Sequence, residues 1–202
     1  MDNEIRMSKT NKREVDILAE LKKQNISIDK INGLNIDDIG KKLDKSIGGS
    51  DDIINKVKND DIILENSKQK GNFAEIVQDY FYEGTGKNLN RISKDRVTSL
   101  DDKIHQGIDG VYEDSTVGPP KFVISEVEYG TSKLSTLKDG TRQMSNKWIV
   151  DRLENVVGAQ KAKKILLEMT LNPDNVQYTL INVDSKGNVV ESFLNGKKPK
   201  GN

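Results

Sequence analysis

The stretch "KFVISEVEYG", Lys121 to Gly130, constrains this chain more than any other, because it sets Glu126 and Glu128 inside a β-branched and aromatic run. Alternation across a strand places Phe122, Ile124, Glu126 and Glu128 on one face and Val123, Ser125, Val127 and Tyr129 on the other. The first face starts apolar and ends in two carboxylates about 7 Å apart, given a rise of roughly 3.3 Å per residue. Upstream, "GIDGVYE" carries Asp109 between Ile108 and Gly110 and reads as the partner strand of a hairpin with a longish Pro-Pro connection. A carboxylate in such a run is costly unless it is paired, hydrogen-bonded or bound to a metal. Spacing alone leaves two readings open. In one, the hairpin brings Asp109 alongside Glu126 and, with Glu128, makes an oxygen-donor site for a hard cation such as Mg²⁺ or Mn²⁺. In the other, Glu126 and Glu128 face solvent on a half-exposed sheet and Asp109 sits in a turn favoured by its neighbouring glycines.

The texture of the chain changes near Lys70, since every aromatic residue and all four prolines lie beyond it. Before that point, "REVDILAELKK" and "IDDIGKKLDKSI" carry apolar residues at helical spacing: Ile17, Leu18 and Leu21, then Ile36, Ile39, Leu43 and Ile47. Ser50 is placed to cap a further short helix, "DDIINKVK". Residues 1–69 therefore read as a helical connecting or appendage region that packs on something else. In residues 70–202, "GNFAEIVQDYFYEGTG" reads as a helix that Gly71-Asn72 starts and Gly84 ends. A short extended "LNRIS" and the hairpin follow, then helices "MSNKWIVDRLENVVG" and "AQKAKKILLEMTL". Two last strands, "NVQYTLINVD" and "NVVESFLN", are joined at Ser185-Lys186-Gly187. The order of helix, strands, helices, strands predicts an α/β or α+β domain of roughly 130 residues.

Composition narrows function mainly by exclusion. Lys plus Arg equal Asp plus Glu at 32 each, so no global charge draws the chain to nucleic acid or to an anionic membrane. The absence of cysteine excludes disulfides and thiolate zinc sites. No segment has the form of a cleavable signal or approaches the roughly 20 apolar residues of a membrane span, so the expectation is a soluble fragment, without membrane insertion, exported by another route. "GTSKLS" lacks the glycine and lysine arrangement of a phosphate loop.

"GNFAE", "RVTSLDDKIHQGIDGVYE", "PPKFVISEVEYG", "DGTRQMSNKWIVDRLENVVG" and "LNPDN", in this order, resemble the C-terminal nuclease modules of LXG-type polymorphic toxins of Gram-positive bacteria, and related modules at the tips of contact-dependent inhibition proteins. The resemblance runs from about Gly71 to the last strand. It implies a restriction-endonuclease-like fold of the PD-(D/E)xK superfamily, in which a helix supplying a Glu precedes a curved hairpin supplying an Asp and an ExK. Position by position, Glu75 corresponds to the helix acid, Asp109 and Glu126 to the metal ligands, and Gln143 to a polar residue opening the helix after the hairpin. The implied protein is a divalent-metal-dependent endonuclease, with DNA favoured over RNA, secreted by type VII export as part of a larger toxin. It would act in the cytoplasm of a target cell and be held in check by a cognate immunity protein.

The chain departs from that pattern at the lysine, which is Glu128. Three accounts are open: Glu128 is a third metal ligand, a lysine from elsewhere reaches in, or the module is silent and binds nucleic acid or an immunity protein without cutting. Lys147, one helical turn after Gln143, is the first such lysine and Lys133 the second. His105, the only histidine, is a phosphate contact, a general acid or a ligand that leaves Zn²⁺ open, or else packs in a loop. Arg152 is placed either to touch phosphate or to pair with Asp151 or Glu154. Trp148 and Tyr112 read as core before they read as base-stacking platforms, and "NGKKPKGN" reads as a basic tail.

Overall fold

A computed structural model describes residues 49–84, 87, 89–114 and 118–194. The two N-terminal helical patterns up to Ile47 and the tail from Asn195 lie outside the described residues. From Ser50 onward the chain forms one compact unit.

Residues 49–58 are helical (α1), with Gly49 and Ser50 already inside the helix, so Ser50 is not its cap. Ile53, Ile54 and Val57 hold this helix through burial against Phe73 and Val77 of the next, and such packing outweighs the weak helix propensity of Gly and Ser. Helix α2 spans Ser67–Gly84 and starts four residues before Gly71. Asn66 explains the earlier start: its Oδ1 accepts the Gln69 N–H at 3.0 Å, while Gln69 Oε1 accepts the Glu65 N–H at 2.9 Å. The first bond is an N-cap, and the second resembles the return bond of a capping box but reaches the residue before the cap.

Strands β1 (Asn90–Arg91), β2 (Gly110–Glu113) and β3 (Phe122–Tyr129) precede helices α3 (Asn146–Val157) and α4 (Ala159–Leu171), and β4 (Val176–Val183) and β5 (Val189–Phe193) close the fold. The five strands lie in the order β1-β2-β3-β4-β5. All neighbours are antiparallel except β3 and β4, which run parallel, as expected when two helices intervene. The domain is thus mixed α+β. Tyr112, Val123, Val127, Ile181 and Val183 pack against α2 on one face of the sheet. On the other face Val111, Phe122, Ile124 and Val176 pack against Trp148, Ile149 and Leu153 of α3 and Ile165 of α4. With helices on both sides, β3 is buried over its first six residues. Trp148 and Tyr112 are core residues. The β4–β5 turn forms at Asp184–Asn188, where Asp184 Oδ1 accepts from the Lys186 and Asn188 N–H groups and Gly187 takes φ 74°. Among the described residues, no helix is long and apolar enough to cross a membrane.

Two glycines report on this packing with opposite signs. At Gly110 a Cβ would lie 2.6 Å from the Tyr112 ring and 2.7 Å from Gln78 Nε2. Neither neighbour is free to move, since Tyr112 donates to Asp79 Oδ1 at 2.6 Å and Gln78 Oε1 accepts from Ser125 Oγ at 2.8 Å. At Gly71, inside α2, a Cβ meets nothing within 4 Å. Gly110→Ala should therefore destabilise by about 1–3 kcal/mol through overpacking, and Gly71→Ala should stabilise by roughly 0.5–1 kcal/mol. Urea denaturation of both variants checks the pair; equal effects would contradict the register of β2 beneath α2.

Candidate active site

The hairpin register sets Gly110 opposite Ser125, so the next pair outward is Asp109 and Glu126. Each residue is held by the other's strand. The Asp109 N–H donates to Glu126 Oε1 at 3.2 Å, and the Val127 N–H donates to Asp109 Oδ2 at 2.9 Å. Glu126 is only 2% exposed, which removes the solvent-facing reading for this residue. Glu128, two residues on, is half-buried toward the end of β3.

Gln143 joins from the segment before α3, its Nε2 donating to Glu126 Oε2. Its own Oε1 accepts from the Ser135 N–H at 2.9 Å and from Ser135 Oγ at 3.1 Å, which fixes the amide orientation. Gln143 does not open the helix, as expected from the sequence, but precedes it in a loop. Met144 adopts φ 62°, outside the helical region, and Ser145 caps α3 by accepting the Trp148 N–H at 3.3 Å.

Helix α2 contributes Glu75, half-buried, with Oε2 buried and without a hydrogen-bond partner. Burial, reinforced by the Asp109 charge and opposed by Arg91, pushes Glu75 up to about 8. Asp109 is pushed up to about 7, chiefly by burial and also by Glu128, against the Val127 hydrogen bond and Arg91. Glu126 is held well above the usual carboxylate range by burial and by Asp109, and burial also raises Glu128. Glu75, Asp109 and Glu126 therefore sense one another, Glu128 adds to the charge felt by Asp109 and Glu126, and all four hold their protons more tightly than ordinary carboxyl groups. Their donors are all oxygen and Glu75 Oε2 is unmatched, which suits a hard divalent cation by donor chemistry. Among the described residues, no three acidic or histidine side chains stand as a formed metal-binding group. Glu126 Oε2 is engaged by Gln143 and Asp109 Oδ2 by Val127.

The expected cations lie elsewhere. Lys147 is exposed and pairs with Asp151 at 2.7 Å; with Gln143 outside α3, the helical spacing that linked the two does not exist. Lys133 is exposed in the loop after β3. His105 lies near Asp102, whose carboxylate it helps to hold low, after the larger effect of the Thr98 N–H. Arg152 stacks on Trp148, 4.6 Å from the ring centroid, and donates to the Trp148 carbonyl at 3.2 Å.

Arg91 of β1 also reaches the site, and no sequence motif marks it. Its side chain is 2% exposed, and Nη1 donates to Asp79 Oδ1 at 2.5 Å. Nη2 donates to the main-chain carbonyl of Asp109 at 2.8 Å. Burial disfavours its charge, but Tyr112, Asp79 and Glu75 hold it protonated above the ordinary range. A two-residue strand offers no periodicity from which to read this, and the only local signal is an arginine in an otherwise uncharged "LNRIS".

Fold and site together define a mixed α+β domain in which Glu75 of α2 faces the acids at the sheet end where the β2–β3 pairing stops. Comparison with protein-family models, with curated proteins and with solved structures found no match.

The raised carboxyl values set a sign for pH dependence. Such a group binds its proton more tightly folded than unfolded, so its stabilisation is complete below the unfolded value, about 4, and is lost as pH rises through the folded one. Stability should fall between pH 5 and 8. Glu75→Gln should be more stable than the unaltered chain at pH 8 by roughly 1–2 kcal/mol, on the order of one pKa unit, with the gain shrinking toward pH 5. Urea denaturation across that range, without divalent metal, measures it, and a constant difference would mean that Glu75 is not buried against Asp109.

Proposed function

We propose that this chain carries a metal-dependent nuclease toxin domain with a restriction-endonuclease-like core, hydrolysing phosphodiester bonds of DNA, with RNA as the second candidate substrate. The observation that carries this reading is the meeting of Glu75, Asp109 and Glu126 from a helix and the two strands of the following hairpin. These are the elements, in the order, that the resemblance to polymorphic-toxin nucleases implies. Gln143 supports it further, since it reaches Glu126 directly.

In this reading Asp109 and Glu126 would hold Mg²⁺ or Mn²⁺, with Glu128 as a third oxygen donor. A divalent ion bound there supplies Lewis-acid polarisation of a phosphate and of an attacking water. Gln143, braced by Ser135, orients Glu126, and the Val127 N–H orients Asp109. Glu75, rich in proton at neutral pH, is placed to exchange that proton with the site. The oxygen-only set favours Mg²⁺ or Mn²⁺ over Zn²⁺. Export within a larger LXG toxin, action in a target cell and a cognate immunity protein rest on the resemblance alone.

Glu128 favours a second reading, a nuclease-like module that binds nucleic acid or an immunity protein without cutting. Purified protein incubated with plasmid DNA and total RNA, with Mg²⁺, Mn²⁺, Zn²⁺ or EDTA, separates the two. Metal-dependent cleavage is expected, with Asp109→Ala losing roughly a hundredfold or more. An inert chain that cuts as Glu128→Lys would mean a silenced nuclease, as the second reading requires, and no cleavage by either would remove the nuclease assignment.

A further inference from the structure

The motif implied by the resemblance sets a cation two residues after Glu126, where this chain has a carboxylate. A guanidinium's fork matches a carboxylate, and Arg–carboxylate pairs frequently spend both arms on one acid. That of Arg91 is divided. Nη1 takes Asp79 Oδ1 at 2.5 Å, and Nη2 takes the Asp109 carbonyl at 2.8 Å, with a looser contact to the Lys94 carbonyl at 3.4 Å. Asp79 lies four residues after Glu75 on α2 and also accepts from Tyr112 at 2.6 Å. One side chain therefore ties the helix that carries Glu75 to the main chain of the residue that carries the first acid of the hairpin. Pairing with Asp79 alone would need only the first of these bonds.

We infer that Arg91 is a positioning residue for the acid cluster: it fixes Asp109 where its carboxylate meets the Val127 N–H, and it brings to the site from β1 a guanidinium whose charge is shared with Asp79. An arginine stays protonated at any working pH. Its contribution is placement and charge, and it takes no proton from water. The catalytic half of this inference rests on the nuclease reading; the placement of Asp109 does not.

Hydrogen exchange at Val127 tests placement directly, because that amide donates to Asp109 Oδ2 at 2.9 Å, with the Ile149 amide, bonded to the Ser145 carbonyl within α3, as internal control. Asp79→Asn should leave Val127 protected. Adding Arg91→Gln, which avoids stranding a buried Asp79 charge, should speed exchange at Val127 by about tenfold or more, the equivalent of 1.4 kcal/mol, and leave Ile149 unchanged. Arg91→Lys, which keeps the Asp79 pair and loses the second arm, should do the same and serves if the double variant does not fold. Where the unaltered chain cleaves DNA, kcat should fall in these variants with KM kept. Wild-type protection of Val127 in the double variant or in Arg91→Lys would overturn the inference. A chain that cleaves nothing would sink the nuclease reading, while the exchange result would still decide the role of Arg91.

Discussion

The reciprocal capture of Asp109 and Glu126 is the constraint on which the rest of the site depends. Two carboxyl groups brought together under an apolar sheet repel each other and lose solvation, and each cost runs to kcal/mol. Two main-chain N–H groups at the frayed end of the β2–β3 ladder offset part of it, since Asp109 N–H meets Glu126 and Val127 N–H meets Asp109. The Val127 donor is free for a side chain because the strand pairing stops at Gly110 and Ser125. One more hydrogen-bonded rung would engage it with the main chain and take that partner from Asp109. The ending of β2 at Gly110 is thus part of the site, and the closeness of Tyr112 and Gln78 keeps that position a glycine.

Helix α2 shows what distinguishes a structural polar group from a site. Toward its C-terminal end, Tyr82 shares hydrogen bonds with Thr179 at 2.8 Å and Glu191 at 2.9 Å, and Lys87 closes the set on Glu191 at 2.6 Å. Every partner there is matched. Earlier on the helix, Glu75, Gln78 and Asp79 each keep one buried atom without a hydrogen bond, and so does Arg91 beside them. Burying polar groups in a partly matched network costs stability, so a fold has no mechanical reason to gather four such atoms around one helix turn. Unmatched buried groups call for a specific explanation, and a catalytic or binding role is one.

Sequence periodicity located what depends on neighbours along the chain. The span of α4, the end of α3 at Gly158 and the strand character of β3 all follow from local spacing and breakers. The contact of Asp109 with Glu126 was legible too, because a hairpin couples residues through a single turn. Lys147 was misplaced because its link to Gln143 assumed continuous helix, whereas Met144 and Ser145 end that continuity by backbone conformation and side-chain capping. Arg91 was invisible for a different reason. It meets Asp109 only because β1 docks beside β2, with Arg91 opposite Tyr112, and no local pattern encodes a two-residue edge strand.

Glu128 then changes the balance of the site. A lysine there would offset the charge of Asp109 and Glu126 and help both to ionise, whereas a carboxylate adds to the repulsion felt by both. With the Arg91 charge shared with Asp79, the acids are under-neutralised and hold their protons more tightly than ordinary carboxyl groups. On the nuclease reading, a divalent ion and those protons compete for the same oxygens, so binding the ion releases protons and gains strength as pH rises. On the same reading a lysine-bearing site would meet its metal more fully ionised, and this one would exchange protons for it.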